Sequence, residues 1–327
     1  LCPGKSYVIL ERRANLGGTW DLFKYPGIRS DSDMFTLGFR FKPWTSEKAI
    51  ADGPDIIAYL EETVAEYGID KHIRYGQHVQ GADWSDADGR WTVNVERDGE
   101  QVEISSRYLM ACSGYYNYDQ AFSPEFAGSE DFEGTTIHPQ RWPEDLDYAG
   151  KRVVVIGSGA TAVTLVPALV NSGAGQVTML QRSPTFIAAL PDVDPFTVQT
   201  NKRLPEKAAY VLNRWKSILL QSAQYQIARR FPEKFRKQLL TMARHRLPEG
   251  YDVNKHFNPR YNPWDERVCL APNGDLFKTI RAGKADVVTD TIDRFTKTGI
   301  KLTSGEQLEA DIIITATGLN LQLFGGA

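Results

Sequence analysis

The chain has 327 residues, with 38 basic against 41 acidic side chains and three cysteines. Its length supports about two domains with sizeable cores, and its balanced charge excludes a nucleic-acid binder driven by bulk electrostatics. Cys2, Cys112 and Cys269 lie too far apart for a redox pair or a zinc spacing, which reads as a cytoplasmic protein, and no apolar run is long enough for a transmembrane segment.

Tyr7–Leu10 predicts a buried strand that ends in Glu11. An acidic residue there binds adenosine ribose hydroxyls in a dinucleotide fold, and the fold's glycine loop lies about 20 residues earlier. No such loop precedes Ser6, and the chain stops in mid-pattern at Phe324-Gly325-Gly326-Ala327. The chain therefore reads as an internal fragment lacking its first βα unit, and as one that poorly retains by itself the cofactor which that unit would bind. Gly17-Gly18-Thr19-Trp20 lets backbone lie close to a cofactor, and Tyr25-Pro26-Gly27 is a rigid turn leading to Asp31. On residue type alone, an aspartate in such a loop is more often structural than catalytic.

Asp55–Tyr67 carries apolar residues at helical spacing, and Trp84, Trp91, Val93 and Val95 alternate around the turn Asp86–Gly89 as in a hairpin. Arg107–Cys112 reads as a core strand. The aromatic run Tyr115-Tyr116-Asn117-Tyr118 suits either a cofactor cleft or the core. Residues 132–150 are a connection rich in Pro and Gly, containing Phe132, Gly134, His138 and Trp142. His138 suits a linker role or, less simply, acid/base work, and Trp142 suits a packing anchor.

A strand at Val153–Ile156 runs into Gly157-Ser158-Gly159-Ala160-Thr161-Ala162 and a helix over Ala160–Asn171. This is a dinucleotide fingerprint in its proper strand–turn–helix setting: one glycine for the turn, one for close approach of pyrophosphate, and a small third residue for helix–strand packing. The next strand, Gln176–Leu180, ends in Gln181-Arg182-Ser183 with no carboxylate. Arg182 and Ser183 suit a 2′-phosphate, which selects NADPH over NADH. Residues 200–247 read as a helical insertion, Pro259–Pro272 as a loop, and Asp311–Gly318 as a last strand and turn.

The runs Gly18-x-Trp20 with Tyr25-Pro26-Gly27-x-x-x-Asp31, and Phe132-x-Gly134-x-x-x-His138-x-x-x-Trp142 before the Gly157 turn, resemble the two fingerprints of the Baeyer-Villiger flavin monooxygenases. The resemblance covers essentially the whole chain. It implies an α/β fold of two Rossmann-like dinucleotide-binding domains, for FAD and for NADPH. Residues 1–131 would form the FAD domain and 132–150 a linker. Residues 151–310 would form the NADPH domain with its helical insertion, and 311–327 would return to the FAD domain.

The implied activity is oxidation of NADPH with O2, converting ketones to esters through a flavin peroxide and oxidising sulfur in thioamides or sulfides. Arg267, in Trp264-Asp265-Glu266-Arg267, would support the oxygen anion with Asp31 as its partner; relatives carry Lys-Arg-Pro where this chain has Glu-Arg-Val, and Arg29 and Arg281 compete for the role. Glu11, Gly18, Thr19, Trp20, Arg29, Ser30, Asp31 and Val79 are the FAD-contact candidates, and His138 would couple domain positions. Neither a metal nor a nucleic-acid partner is expected, and a homo-oligomer stays open.

Three other readings stand beside this one. An N- or S-hydroxylating flavin monooxygenase shares the architecture but carries a different run at 132–143. A disulfide reductase needs a cysteine pair close in sequence. An NADPH-binding redox sensor would bind without turnover.

Overall fold

Val153, Val154, Val155 and Ile156 are each no more than 7% exposed, as expected of a strand covered on both faces in a parallel sheet. In the computed structural model, which describes residues 4–326, Arg152–Ile156 is the middle of five parallel strands. The order is Ala285–Thr289, Gln176–Gln181, Arg152–Ile156, Ile312–Thr315, Thr135–Ile137. Cys2 and Ala327 lie outside the described residues. Contacts group the chain into two units, one of Leu1–Leu22, Pro54–Phe122 and Leu319–Ala327, the other of Phe23–Gly53 and Ser123–Gly318.

The second unit is built around this sheet. The helix Ala160–Asn171 buries Ala162, Val163, Leu165, Val166 and Leu169 completely. An antiparallel meander, Ile292–Thr296, Gly299–Leu302 and Gln307–Glu309, closes a core of Val154, Ile156, Leu180, Phe295, Ile300 and Ile313. Residues 132–150 are more than a linker. Thr135–Ile137 hydrogen-bonds to Ile312–Thr315 as an edge strand, and Phe132 packs edge-on against Phe295. Gly134 is required there, because a side chain would run into the Phe132 ring and the Asp311 carbonyl.

The helical insertion comprises Pro195–Arg203, Glu206–Arg230 and Pro232–Arg246. Asp194 caps the first of these, accepting from the Phe196 and Thr197 amides. Within the stretch expected to be a loop, Val268–Pro272 is a strand paired in parallel with Phe186–Leu190. Its buried Cys269 and Ala271 alternate with half-exposed neighbours, and that two-residue period outweighs the prolines upstream.

Two further stretches group differently from their position in the sequence. Phe23–Gly53 joins the second unit, because Gly27 lies against the helix Ala160–Asn171, where a Cβ would come within 2.7 Å of the Ala168 methyl. Ile312–Thr315 also joins it, being laddered on both sides inside the parallel sheet.

The first unit holds a three-stranded antiparallel meander, His78–Ser85, Arg90–Arg97 and Glu100–Ser106, with Trp84 opposite Trp91. The helix Gly53–Glu66 buries Ile56, Tyr59 and Thr63. The first strand is shorter and more open than expected: only Ile9–Leu10 pairs, with Ile73–Arg74, and Ile9 is 42% exposed. Arg107–Cys112 is not a strand. It finds no ladder partner among the described residues, and a strand without one leaves its backbone groups unpaired.

Candidate functional site

Gly157 leaves the central strand at φ +139, and a Cβ there would be driven into the Ala316 carbonyl oxygen. Gly159 is different. It caps the helix Ala160–Asn171 in an extended conformation with no side-chain hydrogen bond, so the first-turn N–H groups are not occupied by a cap. Space opens above Gly159, where the nearest atom to an added Cβ is the Arg267 guanidinium carbon at 4.0 Å. An N-terminus with open amides, a glycine that admits close approach and a cation beside it are features that could hold phosphate oxygens. Ala162 is fully buried, which lets the helix sit against the strand.

The two glycines should respond differently to alanine. Gly157→Ala is expected to cost about 1–3 kcal/mol in stability, because the left-handed position strains any side chain. Gly159→Ala should lower the urea midpoint only slightly, alanine being the poorer cap, and weaken NADPH binding, its methyl occupying the approach path. Urea unfolding with a nucleotide titration on each variant separates the two effects.

Arg182 and Ser183 follow directly on the strand Gln176–Gln181, next to the fingerprint strand. Both are exposed, and Arg182 makes no ion pair among the described residues. Its charge is therefore available to a ligand.

The Tyr25–Asp31 run packs on the same helix. Tyr25 is buried; burial raises its pKa above the ordinary value, with the Thr161 side chain opposing. Arg29 is nearly buried, its Nη1 donating to Asp275 Oδ2 at 2.7 Å and its Nη2 to the Leu270 carbonyl at 3.4 Å. Ser30 is buried and its hydroxyl donates to the Ser32 carbonyl. Asp31 is solvent-accessible, but the protein around it raises its carboxyl above the usual range. Desolvation leads, Asp275 adds to it, and Arg29 and the Leu270 amide oppose.

Asp31 and Arg267 form no ion pair among the described residues; the charge facing Asp31 is Arg29. Both nevertheless influence Cys269, whose thiol is pushed up to about 12 by burial and by Asp31, with Arg267 opposing. The strand Val268–Pro272 explains this. It begins one residue after Arg267, and at Leu270 it presents its amide to Asp31 and its carbonyl to Arg29. Arg267 is exposed and its carbonyl accepts from the Tyr261 hydroxyl at 3.3 Å, while that hydroxyl also bonds Thr185 at 2.7 Å. Trp264, in the same loop, is held at φ +68, a conformation that is costly for a bulky residue. Arg281 is exposed at the far end of the helix Asp275–Arg281. A cavity of about 480 Å³ lies beside Arg29, Asp275, Lys278 and Lys284, at the opposite end of the fingerprint helix from Gly159.

His138 is half-buried. Its Nδ1 accepts from the Gln140 amide at 3.1 Å, so Nε2 carries the proton and donates to the Gly318 carbonyl at 3.2 Å. Burial lowers its pKa, with Arg141 adding to the effect and Gly318 opposing it. A neutral, doubly bonded ring suits a fixed tie between chain segments better than a proton shuttle. Since the folded pKa lies below the unfolded value of about 6.5, the contribution is full above that pH and is lost as pH falls through it. His256, also lowered by burial, acts in the same direction. Urea stability should thus decline from pH 7.5 to 5.5. His138→Asn, whose Oδ1 can still accept from Gln140, should flatten that slope, and an unchanged slope would remove His138 from it. Trp142 stands edge-on to Tyr148 and shares a hollow with Pro26, so residues of both motif runs meet at one place.

In the first unit, Glu11 is half-buried and its Oε1 accepts from the Arg13 amide at 2.8 Å. Gly17 and Gly18 turn at φ +115 and +52, and beside Gly18 the nearest atom to an added Cβ is the Tyr118 hydroxyl at 3.4 Å. Thr19 Oγ1 lies 3.0 Å from that hydroxyl. Trp20 is half-buried in the short helix Thr19–Leu22, and Val79 is half-buried opposite Val95. Glycines of this conformation beside an acidic strand end fit an adenosine-bearing cofactor. Asp275, Leu270, Thr185 and Tyr261 carry no signal in the sequence, since each reaches its partner across the fold.

The FAD-containing monooxygenase EthA of Mycolicibacterium smegmatis is 74% identical over 326 residues, covering 100% of this chain and 66% of the relative. The protein of that name from Mycobacterium tuberculosis is 63% identical over the same length, with 67% of it covered. The chain thus spans about two thirds of the length of these relatives. Among solved structures, an oxidized steroid monooxygenase bound to NADP superimposes with TM-score 0.78 at 24% identity, covering 99% of this chain and 68% of that one. A complex of OTEMO with FAD and NADP gives TM-score 0.71 at 21% identity, covering 97% and 67%. At those identities the superpositions establish the shared α/β fold. The family model for flavin-binding monooxygenase-like proteins matches residues 50–324, and the chain belongs to that family.

Proposed function

We propose that the protein is an FAD-dependent monooxygenase of Baeyer-Villiger type that draws electrons from NADPH and inserts one atom of O2 into a ketone, giving an ester. Sulfur in thioamides and sulfides is a second substrate class. The observation that carries this reading is the convergence of three distant runs: Gly27 lies on the helix Ala160–Asn171, Tyr25 feels the Thr161 side chain of that helix, and Pro26 shares a hollow with Trp142. A dinucleotide site alone would not require that convergence. The likeness to the FAD-containing monooxygenase EthA supports the FAD-dependent monooxygenase part of this reading.

In this reading, the Gly157–Ala162 turn holds the NADPH pyrophosphate, and Arg182 with Ser183 the 2′-phosphate. In the first unit, Glu11 and the Gly17-Gly18 turn hold the adenosine end of FAD with Thr19, Trp20 and Val79; in the second unit, Arg29, Ser30 and Asp31 are the remaining FAD-contact candidates. Bound flavin would supply the activation of O2. The protein's part is to place a fixed positive charge, Arg267, where oxygen becomes anionic, and to keep water away. Arginine suits that part because its charge persists at any working pH. Phe132, Gly134, His138 and Trp142 tie residues 132–150 to the sheet and act as positioning residues.

The test follows NADPH oxidation by the protein supplied with FAD, with and without a small ketone or a thioamide, while monitoring the ester or S-oxide. Substrate-dependent NADPH loss with matching product is expected. NADPH binding without substrate-dependent turnover would favour the sensor reading, and hydroxylated amine with no ester would favour the N-hydroxylating one.

A further inference from the structure

The helix Glu206–Arg230 is inside out. Its buried residues are Ala209, Asn213, Ser217 and Ala228, small or polar. Asn213 is satisfied internally, accepting from Thr200 at 2.8 Å and donating to Asn201 at 3.2 Å. The large apolar side chains instead face solvent at helical spacing: Val211 is 51% exposed, Leu212 43%, Trp215 57% and Leu219 63%. A helix of a water-facing protein normally turns this stripe toward its core, and a contiguous outward stripe marks an interaction surface.

The charge around the stripe is equally one-sided. Residues 195–246 contain twelve Lys and Arg against two Asp and Glu, in a chain whose net charge is −3; Lys216 and Arg229 pair with Asp194 and Asp265 from outside that stretch, and a cationic surplus remains. Lys202, Arg203 and Lys207 precede the stripe in the chain, and Arg230, Lys234 and Lys237 follow it at the end of its helix and the start of the next. Phe231 sits among the latter, with the cations of Arg230 and Lys234 5.9 and 5.2 Å from its ring.

We propose that this face of the helical insertion docks on an anionic lipid bilayer surface, Val211, Leu212, Trp215 and Leu219 entering the headgroup boundary and the flanking cations meeting lipid phosphates. A helix lying in the interface needs an apolar face, basic flanks and an aromatic residue at headgroup depth, and all three are present. A second copy of the chain is the poorer occupant, because a two-fold contact would oppose the same surplus of positive charge on both sides. Nucleic acid would meet the cations but leaves the apolar stripe unexplained. The proposal does not depend on the oxygenation chemistry.

The test is flotation of the protein with vesicles of phosphatidylcholine alone or with about 30% phosphatidylglycerol. Binding to the anionic vesicles should exceed that to the neutral ones by at least about tenfold and collapse at about 1 M salt. The double variant Trp215→Ser/Leu219→Ser should lose about tenfold or more in binding with unchanged melting temperature and NADPH oxidation. Failure to float with anionic vesicles, or equal flotation of the double variant, overturns the proposal. So does a double variant that melts several degrees lower, which would mean the protein itself covers the stripe, or one that shifts from dimer to monomer in light scattering, which would assign it to a second copy.

Discussion

Arg267→Ala is expected to lower ester formation by about 100- to 1000-fold, the usual effect of removing one preorganised donor from an oxygen anion. NADPH oxidation should continue in that variant and end in hydrogen peroxide. Arg267 is exposed, forms no ion pair among the described residues, and lies beside the Gly159 turn. That neighbourhood permits two roles, a hold on the nicotinamide phosphates or support of an oxygen anion, and they separate cleanly in kinetics. Loss of the first raises the KM for NADPH at full coupling; loss of the second leaves KM in place and uncouples. Arg267→Lys should recover only part, since the ammonium lacks the planar fork. Arg29→Lys serves as the comparison. Arg29 is held by Asp275 and faces Asp31, so its loss should move the pH dependence through Asp31 before it removes coupling. If Arg29→Lys uncouples and Arg267→Ala does not, the roles assigned to the two are exchanged.

Arg182→Ala should reduce the preference for NADPH over NADH by about 10- to 100-fold, which corresponds to one hydrogen-bonded charge on the 2′-phosphate. The loss should fall on kcat/KM for NADPH, with NADH almost unaffected. Arg182→Glu should go further and reverse the preference, because a carboxylate repels the phosphate and accepts from free ribose hydroxyls. Comparable losses with both nucleotides would show that Arg182 contributes to folding or to the pyrophosphate, and the 2′-phosphate assignment would fall.

The phosphate turn was legible in the chain because each of its requirements is local. A strand that is buried on both faces, a glycine at positive φ and a small residue for packing all lie within eleven residues, Arg152–Ala162. The helix Ala160–Asn171 and the strand Gln176–Gln181 match their sequence-based bounds to within a residue for the same reason. What sequence could not reveal depends on partners far along the chain. Arg107–Cys112 has the composition of a strand, but strand formation depends on a neighbour, and none pairs with it among the described residues. The Phe23–Gly53 stretch follows directly on the Gly17-Gly18 turn, yet Gly27 anchors it on a helix about 140 residues later, a contact no spacing rule anticipates. The Arg29–Asp275 pair spans 246 positions and leaves no pattern. Residues 132–150 were read from their Pro and Gly as a connection, while Thr135–Ile137 is too short for its alternation to be noticed before its partner strand is known.

The central claim is that this fold directs one atom of molecular oxygen into an organic substrate at the expense of NADPH. Isotope labelling tests it most directly. With ¹⁸O2, NADPH, FAD and a small ketone, the account predicts an ester carrying a single labelled oxygen, none acquired from labelled water, and one NADPH consumed per ester. An unlabelled product, or NADPH consumed with hydrogen peroxide as the sole outcome across ketones and thioamides, would contradict it.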